Sequence, residues 1–186
     1  MISVIEKFDI SKEVAVKIEN SVITFSKEGT QVSVAIKKPF KVYLQEPNVL
    51  ILACFMYPSR IKRRSGGQLL PLAGALKARI KKALAGLLFG FSKELEIVGV
   101  GFKVEHLCPK TLLLKLGFSH NIIVDIPENL ILVCPKENLL IIKSSSIELL
   151  GSFVSTLKRY KRADVYKNKG VLVKGESINI KKFKKK

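Results

Sequence analysis

The 186-residue sequence contains no tryptophan, three cysteines and only 15 acidic residues against 33 lysines and arginines. Cys54, Cys108 and Cys134 are far apart and form no C-x-x-C pair, which argues against a disulfide framework and favours a reducing compartment. The shortage of acidic residues leaves a formal net charge of +18, and such an excess destabilises a compact chain unless a polyanion neutralises it. Nucleic acid, an anionic membrane and an acidic protein all qualify, and we favour nucleic acid.

Long hydrophobic runs and targeting signals are also missing. The longest apolar stretches, such as LAGLLFGF, are far shorter than the roughly 18 to 20 residues that span a bilayer. The start, MISVIEKFDI, lacks the basic and then apolar pattern of a secretory signal, and it is too acidic for a transit peptide. Hydrophobic residues nevertheless make up 47% of the chain, which is enough for a buried core. We expect a soluble, folded protein.

Motifs that would indicate an enzyme or a metal protein do not occur. The sequence has no G-x-S-x-G elbow, no P-loop and no H-E-x-x-H. His106 and Cys108 could suggest metal ligands, but their spacing matches no common zinc pattern. GVGFKV, residues 99–104, lacks the third glycine of the dinucleotide fingerprint, and a strand bulge or a close backbone approach is the better interpretation. We expect no catalytic residue, no metal and no cofactor.

The first half of the sequence predicts a strand meander followed by a helix. VAVKI, SVITF, QVSVAI, FKVYL and NVLILACF are rich in β-forming residues and are separated by turn residues. A basic loop, RIKRRSGG, follows at residues 60–67. Apolar residues at spacings of three and four then predict a helix over 69–88. Its apolar stripe consists of Leu72, Leu76, Ile80, Leu84 and Leu87.

The second half repeats this plan. ELEIVGVGFKVEHL, TLLLKLGF, NIIVDIP, NLILVCP and NLLIIK predict five strands. Ser145 and Glu148 have the spacing of a capping box, which predicts the start of a second helix that ends in LKRYKR. Its apolar face consists of Ile147, Leu150, Val154 and Leu157.

Strands and then a helix, twice over, predict an α+β fold with two similar domains from an internal duplication. Each domain is expected to be an antiparallel sheet covered by one helix. We place the N-terminal domain at residues 1–91 and the C-terminal domain at residues 92–186.

Positive charge is concentrated at the C-terminal end. Residues 158–186 contain twelve lysines and arginines against Asp164 and Glu176. Arg159 and Arg162 can each grip a phosphate with two parallel hydrogen bonds. A lysine tail alone is often only solubilising, but KRYKR, VYKNKG and KKFKKK together predict a surface that binds nucleic acid.

Several motifs occur in the order found in a known family. ELEIVGVGFKV, LKLGFSHNIIVDIP, the helix IELLGSFVSTLKRYKRADVYKNKGV and a lysine tail resemble the bacterial-type ribosomal protein six of the large subunit. The resemblance covers nearly the whole chain and is strongest from Leu95 to Val171. It implies two α+β domains from a duplication and binding to large-subunit rRNA, mainly through the second domain. It also implies a place beside other large-subunit proteins near the sarcin–ricin region, with transient proximity to translational GTPases.

The resemblance also implies which residues face RNA. Gly117, Phe118, Ser119 and His120 are expected to form an RNA-facing turn. The main contacts with RNA are expected to come from Arg159, Arg162, Tyr166, Lys167, Lys169 and Gly170. The local charge adds Lys158 and the tail residues Lys181, Lys182, Lys184, Lys185 and Lys186. The sequence departs from the family pattern at Ala163, where proline is usual, at Asn168, where glycine is usual, and at Asn121, where proline is common.

The composition of the chain indicates where its ribosome would be. Richness in lysine, isoleucine and leucine fits a gene of AT-rich origin, which favours a mitochondrial ribosome, with a plastid or a bacterial cytoplasm as alternatives.

Other functions are compatible with the sequence. The segment LLPLAGALKARIKKALAGLLFGF could lie on anionic lipid, which would make the chain a membrane-surface protein. A free RNA-binding protein is another alternative, and an enzyme is disfavoured because no constellation of titratable residues occurs. We expect no membrane partner.

Overall fold

The computed structural model describes residues 3–11, 13–38, 40–45, 49–54, 69–108, 110–176, 179 and 181. Within these residues the chain has thirteen strands and two helices, and its sheets are mostly antiparallel. The predicted α+β class is therefore confirmed. The chain divides into two compact units, Met1–Phe89 and Gly90–Lys186, which we call the N-terminal and C-terminal units. The basic loop at 60–67 and Lys182, Lys184, Lys185 and Lys186 lie outside the described residues.

The N-terminal unit consists of two three-stranded sheets, with strand orders β1-β6-β5 and β2-β3-β4, and one helix. Its elements are β1 (Ser3–Asp9), β2 (Ala15–Glu19), β3 (Val22–Lys27), β4 (Thr30–Ala35), β5 (Phe40–Gln45), β6 (Val49–Cys54) and α1 (Leu69–Leu88). Strand β1 was not predicted. Charged residues at Glu6, Lys7 and Asp9 and a register shift between Val4 and Glu6 disturb its alternation, so the period of two is not visible in the sequence.

Helix α1 covers the N-terminal core, and its predicted range is confirmed. Its residues Leu76, Ile80 and Leu87 are buried together with Phe25 and Leu52 of the sheets. The buried stripe is shorter than predicted, because its first residue, Leu72, is 39% exposed. The helix's apolar side is therefore used inside the protein.

The C-terminal unit has the same strand order as the N-terminal unit, with one strand added. Its elements are β7 (Phe91–Val98), β8 (Lys103–Cys108), β9 (Thr111–Lys115), β10 (Ile122–Asp125), β11 (Ile131–Lys136), β12 (Leu139–Ser144), α2 (Ile147–Tyr160) and β13 (Gly170–Val173). The order β8-β9-β10 corresponds to β2-β3-β4, and β11-β12-β7 corresponds to β5-β6-β1. Strand β13 extends the second sheet beside β7. A duplication in evolution stays a prediction.

One predicted strand, residues 94–107, is two strands. A turn at residues 99–102 separates β7 from β8, and the Phe102 N–H donates to the Gly99 carbonyl at 3.3 Å. Gly101 has φ +74° in this turn, a conformation that glycine adopts at no steric cost. Of the two interpretations offered for these glycines, the strand bulge is therefore wrong, because they belong to a tight turn between two strands.

Helix α2 covers the larger sheet of the C-terminal unit. Its buried residues are Leu150, Phe153, Val154 and Leu157, which share one core with Leu95 and Leu140 of the sheet. The N-cap is Ser146, whose hydroxyl accepts from the Leu149 N–H at 3.5 Å. The predicted cap at Ser145 is wrong by one residue, because three consecutive serines offer the same chemistry at three positions.

Replacing Ser146 with alanine is expected to destabilise the C-terminal unit by about 1 kcal/mol, because an orphan N–H of the first turn loses its acceptor. Ser145→Ala is the matched control and is expected to change the free energy of unfolding by less than about 0.5 kcal/mol. Urea unfolding followed by circular dichroism measures both. Equal losses for the two variants would contradict the assignment of the cap.

Candidate nucleic-acid interface

The segment that connects α2 to β13, residues 161–169, is a closed loop, which we call the α2–β13 loop. The Asn168 N–H donates to the Asp164 carbonyl, and the Asp164 N–H donates to the Lys169 carbonyl, both at 2.9 Å. The Asp164 carboxylate also accepts from the Tyr166 N–H at 3.0 Å. Such side-chain to backbone bonds are typical of Asp in turns. The loop therefore holds its basic residues on an ordered backbone.

Four predicted cations of this region, Arg159, Arg162, Lys167 and Lys169, are exposed. Within the described part of the chain, none of the four forms a salt bridge with a carboxylate. Tyr166 is 44% exposed beside them. These cations are available to an external anion.

Lys158 differs from these four cations. Its Nζ lies 2.6 Å from the Glu176 carboxylate, and the hydrogen bond from Lys158 holds the pKa of the Glu176 carboxyl below its ordinary value of 4.5. Lys174 is similarly paired with Glu94 of β7 at 2.6 Å. A paired lysine offers less net charge to a polyanion, so Lys158 is a weaker candidate contact than its neighbours.

A groove of about 540 Å³ runs between α2 and β13. Its cationic side chains are Lys93, Lys158, Arg159 and Arg162, and the remaining lining is apolar or small apart from Glu176. Lys93 was not predicted as a site residue from the sequence. The signal was present in the alternation of β7, since Lys93 lies two residues before buried Leu95 and so on the face that α2 covers.

The predicted RNA-facing turn follows β9. Gly117, Phe118, Ser119 and His120 are all exposed, and Gly117 has φ +71°. The Phe118 and His120 rings are stacked, with centroids 6.0 Å apart. Lys161, at the end of α2, has its Nζ 4.3 Å from the centroid of the Phe118 ring. The fold therefore brings the turn and the α2–β13 loop together, although about forty residues separate them in the sequence.

Two other predicted positions have defined surroundings. Gly170 is buried at the start of β13, where its neighbour Val171 donates its N–H to the Lys161 carbonyl at 3.0 Å. Exposed Lys181 donates its N–H to the Val165 carbonyl at 3.0 Å, which places this residue beside the α2–β13 loop. Among the described residues, no group of three or more His, Cys, Asp or Glu side chains is placed to hold a metal ion.

Comparison with curated proteins shows the family. The large ribosomal subunit protein uL6 of Clostridium acetobutylicum is 31% identical over 165 residues, which are 89% of this chain and 87% of that protein. The chain belongs to the uL6 family. The uL6 proteins of Rhodospirillum rubrum and Glaesserella parasuis are 40% and 34% identical over 113 and 114 residues, respectively.

These two uL6 alignments cover 61% of this chain in each case. They cover 63% of the R. rubrum protein and 64% of the G. parasuis protein, so the matched part is less than two thirds of either relative. No protein-family model matches the chain.

The structure explains one departure from the uL6 pattern. Asn168, at a position where glycine is usual, has φ +53°, and asparagine tolerates this left-handed conformation better than most residues. The loop can therefore keep its backbone without the glycine. Ala163, at the usual proline position, lines the groove, and nothing in the structure explains Asn121.

Proposed function

We propose that this chain is a structural constituent of the large ribosomal subunit that binds large-subunit rRNA and catalyses no reaction. The observation that carries the proposal is the contact between the Gly117–His120 turn and the end of α2, next to four exposed cations without a carboxylate partner in the described chain. Membership of the uL6 family and the net charge of +18 support the same function.

The proposed mechanism is neutralisation of phosphates on an ordered surface. Arg159 and Arg162 suit bidentate phosphate contacts, and Lys167 and Lys169 act as point charges. Exposed Phe118 and Tyr166 offer rings to bases or sugars. Because hydrogen bonds already hold the α2–β13 loop closed, its ordering costs little free energy on binding.

The finer parts of the proposal rest on the family resemblance. We propose that the C-terminal unit is the main rRNA-binding domain, near the sarcin–ricin region and the docking site of translational GTPases. The N-terminal unit serves as a platform for neighbouring ribosomal proteins or RNA. The proposed compartment is the mitochondrion, supported by the lysine-, isoleucine- and leucine-rich composition, with a plastid or a bacterial cytoplasm as alternatives.

A membrane-surface function is the second candidate, and the packing of α1 argues against it. Leu76, Ile80 and Leu87, which would have to face lipid, are buried in the core of the N-terminal unit. In the part of the chain that the structure describes, no helix has the length and apolar character needed to cross a membrane.

Filter binding tests the proposal. The full chain is titrated against large-subunit rRNA transcribed in vitro, with small-subunit rRNA as the matched control, from 50 to 300 mM salt. We expect preference for the large-subunit transcript and a log–log salt slope of about −3 to −4, as for four phosphate contacts. Equal affinity for both transcripts, or binding to phosphatidylserine vesicles that exceeds binding to rRNA, would contradict it.

A further inference from the structure

Lys161 occupies the junction between α2 and the α2–β13 loop. It is the C-cap of α2, with extended backbone angles of φ −145° and ψ 92°. Its carbonyl accepts the Val171 N–H at 3.0 Å and so ties the end of the helix to β13. Its backbone is therefore fixed, and its half-buried side chain extends toward a different part of the unit.

The Lys161 ammonium lies near two aromatic rings. Its Nζ is 4.3 Å from the Phe118 centroid and 5.8 Å from the Phe102 centroid. Both distances are within the range of about 6 Å over which a cation is attracted to an aromatic ring. Phe118 belongs to the predicted RNA-facing turn and Phe102 to the turn between β7 and β8, so one side chain connects three segments.

The Phe102 ring packs closely against two glycines. A Cβ at Gly99 would lie 2.5 Å from the Phe102 ring, and a Cβ at Gly117 would lie 2.7 Å from it. The ring thus occupies space that only glycine leaves open on both sides. Phe118 follows Gly117 directly and stacks on His120, so the Phe102 ring contacts the turn at the residue next to Phe118.

We propose that Lys161 is a positioning residue of the RNA interface. Its ammonium holds the Gly117–His120 turn against the α2–β13 loop, so that both segments contact RNA as one surface. The inference rests on the proposed function, since the surface matters only if the chain binds RNA.

The role of Lys161 differs from that of its neighbours. Arg159 and Arg162 are exposed, whereas the Lys161 ammonium is directed at the two rings. A residue that neutralises a phosphate contributes about 0.9 to the salt slope. A residue that acts by holding the Phe118 ring in position, and not by contacting a phosphate, contributes affinity and leaves the slope unchanged.

Two variants separate these roles. Lys161→Met keeps the side-chain stem and removes the cation, and we expect it to weaken binding to large-subunit rRNA about two- to fivefold with an unchanged salt slope. Lys161→Arg keeps the cation, and we expect it to bind like the natural chain. Combining Lys161→Met with Phe118→Leu should weaken binding no more than Phe118→Leu alone, because both changes remove one interaction.

Nuclear magnetic resonance of the free full-length chain provides a readout that needs no RNA. The ε-methylene protons of Lys161 are expected to be shifted upfield, mainly by the nearer Phe118 ring, and to move most of the way back to ordinary values in Phe118→Leu, where Phe102 remains. Lys161→Met is expected to move the His120 resonances.

The possible outcomes are distinguishable. No upfield shift, or a salt slope that falls by about 0.9 in Lys161→Met, overturns the inference about Lys161 and leaves the proposed function intact. An upfield shift in a chain that does not bind large-subunit rRNA overturns the proposed function, and with it the positioning role.

Discussion

Replacing Gly170 with alanine is expected to destabilise the C-terminal unit by at least about 2–3 kcal/mol, since the new side chain meets backbone atoms. A Cβ at Gly170 would lie 2.6 Å from the Ala163 Cα and 2.8 Å from the Arg162 carbonyl carbon. Gly170 also has φ +147°, which side-chain-bearing residues rarely adopt. Relief requires that the α2–β13 loop separate from β13, which would break the hydrogen bond between Val171 and Lys161.

Thermal unfolding measures the effect, with an expected fall of roughly 10–20 °C in the melting temperature of the C-terminal unit. Gly151→Ala is the matched control, because a Cβ there meets nothing within 4 Å. In a helix interior this change is expected to stabilise by about 0.5–1 kcal/mol. A melting temperature unchanged by Gly170→Ala would show that the loop does not pack on β13 as described.

Neutralising Arg159, Arg162 and Lys167 together, each to glutamine, is expected to have the largest effect on RNA binding. Each phosphate contact contributes about 0.9 to the salt slope, so three contacts contribute about 2.7, and affinity at 0.1 M salt falls about 500-fold. All three side chains are exposed, so the folded structure is expected to tolerate the changes. Filter binding across a salt series gives both the affinity and the slope.

The control is a triple variant with the same loss of charge in the same unit. It replaces three lysines that already pair with carboxylates, at distances of 2.6 to 2.9 Å. These lysines are Lys103, Lys110 and Lys115, and their partners are Glu137, Glu128 and Glu105. We expect this variant to lose less than about tenfold in affinity, through net charge alone. Similar losses in the two triple variants would mean that the RNA site lies elsewhere.

Much of the fold can be predicted from local sequence, because apolar residues recur every three to four residues in a helix and every two in a strand. The apolar spacing of α1 gives its bounds correctly, from Leu69 to Leu88. Where local pattern fails, a local cause is visible. Strand β1 is interrupted by charge and a register shift, and β13 has only four residues.

The candidate site is less predictable than the fold, because its properties depend on partners that are distant in sequence. The sequence shows that cations are concentrated at the C-terminal end, but it does not show which of them form salt bridges with carboxylates of the same chain. Lys174 pairs with Glu94, 80 residues away, and Lys158 with Glu176, 18 residues away. Lys161 counts as one more cation in the sequence, and only the fold shows its ammonium over Phe118.

Sedimentation of a tagged chain from its own cells through a sucrose gradient, at low and then at moderate salt, tests most directly whether the chain is a component of the large subunit. We expect the chain to migrate with the large ribosomal subunit and to stay with it at moderate salt. A chain that remains at the top of the gradient even at low salt would contradict the proposal that it is a component of that subunit.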